Sequence, residues 1–274
     1  CCALSDVMDA RSVAYRLGFE HVVFNFKDCF RERVMSQFAD SYMCGRTPNP
    51  CIECNRYVKF DKMLRRAIEL GYDYIATGHY AVREYDEKSG RYLLKRPKDR
   101  SKDQTYVLYS LTQEQLAHTL FPLGELDKPQ VRALAEKAGL VNSDKPDSQD
   151  FYSGDIKDIL QTQPKAGNFI TKDGKVLGTH QGIWNYTVGQ RKGLGIAAEK
   201  PLYVLGFDVE KNNVIVGFED ENVRHTLTAS NINWSGIAPI TNRGLLRQKS
   251  VRRSPPHPFW QPPFPNPKSE SILN

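Results

Sequence analysis

The chain has 274 residues, of which 40% are hydrophobic and 26% are charged. This composition is typical of a soluble globular protein with one to three domains. No run of about 18 apolar residues occurs, so we expect no transmembrane helix, no membrane partner and a cytoplasmic location. The formal net charge of +6 weakly favours a polyanionic partner such as a nucleic acid.

All six cysteines lie within the first 54 residues. Two of them, Cys51 and Cys54, form a Cys-x-x-Cys directly behind the Pro-rich segment 46–50. In a cytosolic protein of this size such a pair indicates catalysis or metal binding rather than a disulfide framework. A closed zinc site would also need Cys29, Cys44 or a second chain.

The first half of the chain alternates helical and strand patterns. Apolar spacing predicts helices over 5–17, 30–42 and 58–68, strands over 21–26 and 74–77, and a loop holding the cysteine pair. Such alternation predicts an α/β fold with a parallel sheet and helices on both faces.

The second half is mostly β-like. Turn signals predict hairpins around 85–91, 172–174 and 210–212, a helix opening at Asp127-Lys128-Pro129, a polar turn region over 141–155 and a strand over 226–234. Strands at this spacing are typical of a small barrel or sheet. The segment 254–267 is too rich in proline for a helix or a central strand.

A nucleotide-binding sheet of this type normally opens with a strand, a glycine-rich phosphate loop and a helix. Here the first predicted element is a helix, and residue 1 is Cys rather than Met. We therefore expect an incomplete chain whose first β-α unit is missing and which binds ATP weakly.

Four ordered motifs resemble those of the bacterial tRNA-specific 2-thiouridylases, members of the PP-loop ATP pyrophosphatase family. They are Arg46-Thr47-Pro48-Asn49-Pro50-Cys51-Ile52-Glu53-Cys54-Asn55, Ala76-Thr77-Gly78-His79-Tyr80, Lys102-Asp103-Gln104-Thr105-Tyr106 and Gly189-Gln190-Arg191-Lys192-Gly193-Leu194-Gly195. The resemblance covers residues 1–242 and lacks the family's Ser-Gly-Gly-x-Asp-Ser loop and the end of its C-terminal barrel.

The resemblance divides the chain into four segments. Residues 1–110 would be a partial catalytic domain like the adenine-nucleotide alpha hydrolases, built on a Rossmann-like parallel sheet. Residues 111–200 would be a small central tRNA-binding domain and 201–242 a partial C-terminal β-barrel. The resemblance stops there, and the proline content of the fourth segment, 243–274, predicts an aberrant or disordered tail.

The same resemblance implies ATP-dependent 2-thiolation of the tRNA wobble uridine by persulfide transfer. Cys54 matches the catalytic cysteine, whose thiolate is the reactive form, and Arg56 and Lys59 could lower its pKa. Many members carry a second cysteine where this chain has Tyr152. Cys51 is therefore expected to share the persulfide and resolving roles, leaving a Cys51–Cys54 disulfide.

The remaining expected site residues also follow from the resemblance. Gly78 would approach ATP, which acts with Mg²⁺, and a sulfur-relay protein would donate the sulfur. The tRNA would contact Asn49, Pro50 and Cys51, together with His79, Lys102, Asp103 and Gln104.

Other functions remain open from the residues alone. Cys51 and Cys54 could serve thiol redox chemistry, or the chain could be a metal-binding RNA-binding fragment without catalysis. No metal ligands are assigned. An iron–sulfur cluster would need three good cysteine ligands, which the sequence does not make evident.

Overall fold

The computed structural model describes residues 4–145, 159–160, 165–222, 231–239, 245–246 and 271–272. The chain divides into two compact units. Unit 1 comprises Cys1–Val34, Pro50–Asp155 and Asn233–Ala238, and unit 2 comprises Met35–Asn49, Ile156–Ile232 and Pro239–Asn274. Tyr152, most of the predicted strand over 226–234 and the Pro-rich segment lie outside the described residues.

Three helical stretches open the chain, as the apolar spacing predicts. Helix α1 spans Leu4–Leu17 and ends at Gly18, whose φ of 74° suits a glycine. Helix α2 consists of the consecutive segments Lys27–Phe30, Arg31–Met35 and Ser36–Met43, the middle one π-helical. Helix α3 consists of Pro50–Glu53, the π-helical Cys54–Met63 and Leu64–Glu69.

The prediction of a buried strand over His21–Phe26 is wrong. This segment forms no strand, and Val22 and Val23 are 53% and 68% exposed. A strand satisfies its backbone groups by pairing with a neighbour. No described strand pairs with this segment, so its apolar run remains at the surface.

Strand pairing in unit 1 is limited. Strand β1 (Ile75–Ala76) pairs in parallel with β4 (Thr119–Leu120), and β2 (Val82–Asp86) forms an antiparallel hairpin with β3 (Arg91–Lys95). Among the described residues of unit 1, the parallel sheet has two strands only. The larger parallel sheet expected from the sequence is therefore not formed there.

Two capped helices complete unit 1. Helix α4 (Gln113–Ala117) and helix α5 (Lys128–Lys137) each begin with a capping box, made by Thr112 and Asp127 respectively. The start of α5 confirms the helix signal in the sequence. The core of the unit contains Phe60, Leu64, Ile75, Ala81, Val107, Leu108, Leu111 and Leu116.

Unit 2 contains a four-stranded sheet in the order β6-β5-β8-β7, which does not close into a barrel. Its strands are β5 (Gly167–Ile170), β6 (Val176–His180), β7 (Tyr203–Asp208) and β8 (Asn213–Gly217). Both predicted hairpins are confirmed. Strands β5 and β8 pair in parallel, which joins the two hairpins into one sheet.

Side chains from both hairpins form one core in unit 2, including Phe169, Trp184, Val204, Val214 and Val216. A further antiparallel pair joins β9 (Leu245–Leu246) to β10 (Ser271–Ile272). None of the described helices has the length and apolar character that a bilayer crossing requires.

Candidate active site

The two cysteines lie in a helix rather than in a loop. The sequence predicts that helix α3 begins near Val58, but it begins at Pro50. Proline suits the first helical position because it needs no backbone N–H donor there. Cys51 is exposed, Cys54 is half-buried, and both are thiols rather than a disulfide. The first two turns of α3 therefore carry the pair.

Asn55, directly after Cys54, fixes this part of the helix to the core. Its side chain is 1% exposed, and its Nδ2 donates a 3.0 Å hydrogen bond to the carbonyl oxygen of Val107. Val107 closes the 3₁₀ turn Thr105–Val107, which follows the Lys102-Asp103-Gln104 motif. The cysteine helix and that motif are thus connected.

The Gly78-His79-Tyr80 motif is joined to the same loop. The backbone N–H of Tyr80 donates to Oε1 of Gln104 at 2.8 Å, and the backbone N–H of Gln104 donates to the Tyr80 carbonyl at 3.1 Å. This reciprocal pair holds two segments that lie 24 residues apart. Two of the four sequence motifs therefore contact each other within unit 1, and Asn55 of a third bonds Val107, directly after one of them.

His79 is buried beside the helix that carries the cysteines. It is 9% exposed, and its ring centroid lies 5.9 Å from that of Phe60 and 6.3 Å from that of Phe121. Its Nδ1 lies 2.9 Å from the Thr77 hydroxyl. Burial, and then the charge of Lys59, lower the pKa of His79 to about 4. The imidazole is therefore neutral at physiological pH.

Asp103 organises its own loop. Its carboxylate accepts hydrogen bonds from the backbone N–H and the hydroxyl of Thr105, and it forms an ion pair with Arg96. Burial alone would raise the pKa of Asp103, but these hydrogen bonds outweigh it and the pKa is lowered. Lys102 is half-buried at the end of the 3₁₀ turn Arg100–Lys102.

An arginine–tyrosine cluster borders Cys54. The Arg56 guanidinium lies 5.9 Å from the ring centroids of both Tyr57 and Tyr109, and it bonds Glu53 at 3.5 Å. Arg33 lies 5.4 Å from the Tyr57 ring. Burial would lower the pKa of Arg56, but Glu53 and the tyrosines outweigh it and raise the pKa.

Gly78 is exposed, and the protein's own packing does not require a glycine there. Its φ is not in the left-handed region, and a Cβ would meet only the Leu123 side chain at 3.8 Å. Among the described residues no three His, Cys, Asp or Glu side chains gather as a metal site.

The boundary between the two units falls between two of the expected tRNA-contacting residues. Asn49 belongs to unit 2 and Pro50 opens α3 in unit 1. Asn55, which is buried and bonded to the core, is not among the residues predicted from the sequence. Its only local signal is an amide next to Cys54, whereas its partner Val107 lies 52 residues away.

Comparison with known proteins matches the chain in two blocks. Residues 1–152 match the family described as tRNA methyl transferase HUP domain, and residues 154–218 match that described as tRNA methyl transferase PRC-barrel domain. A tRNA-specific 2-thiouridylase MnmA of Thermoanaerobacter sp. (strain X514) is 52% identical over 91% of this chain and 70% of its own length. The chain belongs to the tRNA-specific 2-thiouridylase MnmA family.

Other members of the MnmA family match similar shares of this chain and of their own length. The enzyme of Acetivibrio thermocellus is 51% identical over 91% of this chain and 71% of its own length. That of Carboxydothermus hydrogenoformans is 46% identical over 94% and 73%. The matches establish a Rossmann-like HUP domain followed by a PRC-barrel domain, whose described sheets are open.

Proposed function

We propose that this protein catalyses ATP-dependent 2-thiolation of the wobble uridine of tRNA, with Cys54 and Cys51 as the sulfur-handling thiols. The single observation that carries the proposal is the placement of both thiols at the start of α3. Close relatives are named tRNA-specific 2-thiouridylases. Their name supports both the tRNA substrate and the thiolation.

The two thiols suit complementary roles. Cys51 is exposed and can be reached by a donor protein, whereas Cys54 is half-buried and precedes Asn55, which is bonded to the core. One cysteine would accept the terminal sulfur of the donor's persulfide, and the donor would leave as a thiolate. The other cysteine would remain a thiolate for the resolving step.

The sulfur transfer balances without a further oxidant. The terminal persulfide sulfur attacks C2 of the activated uridine, and AMP leaves with the former O2. The second cysteine then attacks the inner sulfur, so the electron pair of the S–S bond stays on the new 2-thiouridine sulfur. A Cys51–Cys54 disulfide remains, and an external dithiol restores both thiols.

ATP supplies the adenylate that makes the uridine oxygen a leaving group. Gly78 would let its backbone approach the nucleotide, because the surrounding protein leaves space where a Cβ would stand. Mg²⁺ would accompany the ATP phosphates.

The tRNA would contact Asn49, Pro50, Cys51, His79 and the segment Lys102–Gln104. Lys102 suits a phosphate contact because its ammonium is a compact cation. Asp103, Gln104 and His79 make internal contacts, so they would hold this surface in shape while it meets RNA. The domain boundaries at residues 110, 200 and 242 stay predictions.

A thiol–disulfide oxidoreductase is the second candidate. Its supporting observation is that the Cys-x-x-Cys pair begins a helix, an arrangement used by redox enzymes. Such an enzyme would cycle between dithiol and disulfide with a protein disulfide substrate alone. It would need neither ATP nor tRNA, which separates the two functions.

The test is thiolation of a tRNA transcript by the protein with excess ATP and a persulfide-carrying sulfurtransferase. Nucleoside mass spectrometry should detect 2-thiouridine, and both Cys54→Ser and Cys51→Ser should reduce it at least about 100-fold, the scale of a lost nucleophile. Cys44→Ser, which changes an exposed cysteine of unit 2, is the matched control and should retain activity.

Nucleoside mass spectrometry of the same tRNA, together with a disulfide-reduction assay, separates thiolation from the alternative functions. A methylated nucleoside formed from a methyl donor would support the wording of the two matched family descriptions instead. Reduction of a protein disulfide without ATP or tRNA would support the redox function. Equal thiolation by Cys54→Ser and the wild type would refute the proposed role of Cys54.

A further inference from the structure

We propose that the loop 189–200 of unit 2 is a binding site for the phosphate backbone of RNA. This inference rests on the proposed function, because it assumes that the substrate is RNA. The loop carries three cations, Arg191, Lys192 and Lys200, and one carboxylate, Glu199. All four are exposed, and within the described residues none of them forms an ion pair.

Hydrogen bonds to Val204, and within the turn itself, hold the start of the loop in place. The backbone N–H of Gly189 donates to the Val204 carbonyl at 2.7 Å, and that of Val204 donates to the Gln190 carbonyl at 2.9 Å. The Gln190 side chain bridges the turn, accepting from Thr187 N–H and donating to the Lys192 carbonyl. Arg191 and Lys192 therefore project from a fixed turn.

The middle of the loop lines an open groove of about 620 Å³. Leu194 is buried in the core of unit 2 and anchors the floor. Gly193 and Gly195 have φ values of 78° and 66°. Successive residues that alternate with left-handed glycines can point several N–H groups the same way and so favour anions.

The backbone donors beyond the start of this loop have no acceptors within the described protein. None of the N–H groups of residues 191–200 donates to a described protein atom. Together with the three cations they offer a row of donors and positive charge to an anion. A phosphodiester chain fits best because the groove is open to solvent, and because RNA carries a negative charge at every nucleotide.

The test compares tRNA binding by the wild type and by the double variant Arg191→Gln/Lys192→Gln, measured by fluorescence anisotropy over a range of KCl concentrations. We expect the double variant to raise the Kd about 10-fold and to reduce the slope of log K against log salt by about 1 to 2. Lys211→Gln, at an exposed turn paired with Asp208, is the matched control and should bind as the wild type does.

A variant that should change tRNA affinity in the opposite direction provides a second test. Glu199→Gln removes the one carboxylate of the loop and should tighten tRNA binding, an effect that a purely structural loop would not show. Unchanged Kd and slope in the double variant would overturn the inference. If the double variant binds ATP less tightly but binds tRNA as the wild type does, the loop serves the nucleotide. That result would also overturn the inference.

The proposed function fails separately from this inference. A wild-type protein that binds tRNA through Arg191 and Lys192 but makes no 2-thiouridine would contradict the function and keep the loop assignment. If the wild type and the double variant thiolate tRNA equally well at limiting tRNA concentration, the proposed function would be supported. The loop assignment would be contradicted.

Discussion

Asn55 and Val107 join the cysteine helix to the loop that follows the Lys102–Gln104 motif, through one buried hydrogen bond of 3.0 Å. Asn55→Ala should lower the free energy of unfolding by about 1–3 kcal/mol, because it leaves the buried Val107 carbonyl without this donor. Urea unfolding measures the change. Asn25→Ala, at an exposed asparagine that bonds only locally, should change it by less than about 0.5 kcal/mol.

Substitution by alanine should affect ligand binding at Gly78 but stability at Gly124. Gly78→Ala should leave stability unchanged but weaken ATP binding, because its Cβ meets only Leu123 in the protein. Gly124→Ala should cost about 1–3 kcal/mol, because its Cβ would press on the Ala81 carbonyl and lie 2.7 Å from a Val82 methyl.

Thermal unfolding and isothermal titration with ATP measure the two effects. A Gly78→Ala protein that binds ATP as the wild type does would remove Gly78 from the nucleotide site. A Gly78→Ala protein that unfolds as readily as Gly124→Ala would show that the glycine serves packing.

His79 should make stability depend on pH. Its folded pKa of about 4 lies below its ordinary value of about 6.5, so between these values the unfolded chain binds the proton more readily. Its contribution is complete above about pH 6.5 and is lost as the pH falls toward about 4. The full contribution of His79 to the free energy of unfolding is about 3 kcal/mol.

Urea unfolding at several pH values tests this contribution. The wild type should lose about 3 kcal/mol more than His79→Phe between about pH 7 and about pH 4. Phe121→Leu disturbs the same aromatic cluster without removing the imidazole, so it should keep the wild-type pH dependence. Parallel curves for the wild type and His79→Phe would contradict a buried neutral His79.

Lys102 and Asp103 are adjacent but should behave differently. Lys102→Gln should weaken tRNA binding several-fold with little change in stability, as expected for a phosphate contact. Asp103→Ala should lower the melting temperature, because it removes the acceptor for Thr105 and the partner of Arg96. Anisotropy with labelled tRNA and a melting curve for each variant separate binding from folding.

Local chemistry made much of the fold predictable. The start of α5 follows from Asp127 and Gln130, which form a capping box, and the Lys172-Asp173-Gly174 turn follows from Gly174, whose φ is 88°. These signals act within a few residues. They therefore appear in the sequence as clearly as in the structure.

Features that depend on distant partners were not predictable in the same way. The segment His21–Phe26 has a strand pattern, but pattern alone does not supply a pairing neighbour. The helix start at Pro50 was missed because the surrounding prolines indicate a loop. The hydrogen bond between Tyr80 and Gln104 joins two motifs 24 residues apart, and no local signal in either motif predicts that contact.

In the proposed mechanism, Cys51 and Cys54 handle the sulfur and form a disulfide with each other when the sulfur passes to the uridine. The most direct measurement is single-turnover thiolation with protein preloaded with persulfide, quenched with an alkylating reagent and followed by peptide and nucleoside mass spectrometry. We expect one Cys51–Cys54 disulfide for each 2-thiouridine formed. Thiolated tRNA accompanied by two alkylated thiols at Cys51 and Cys54 would contradict it.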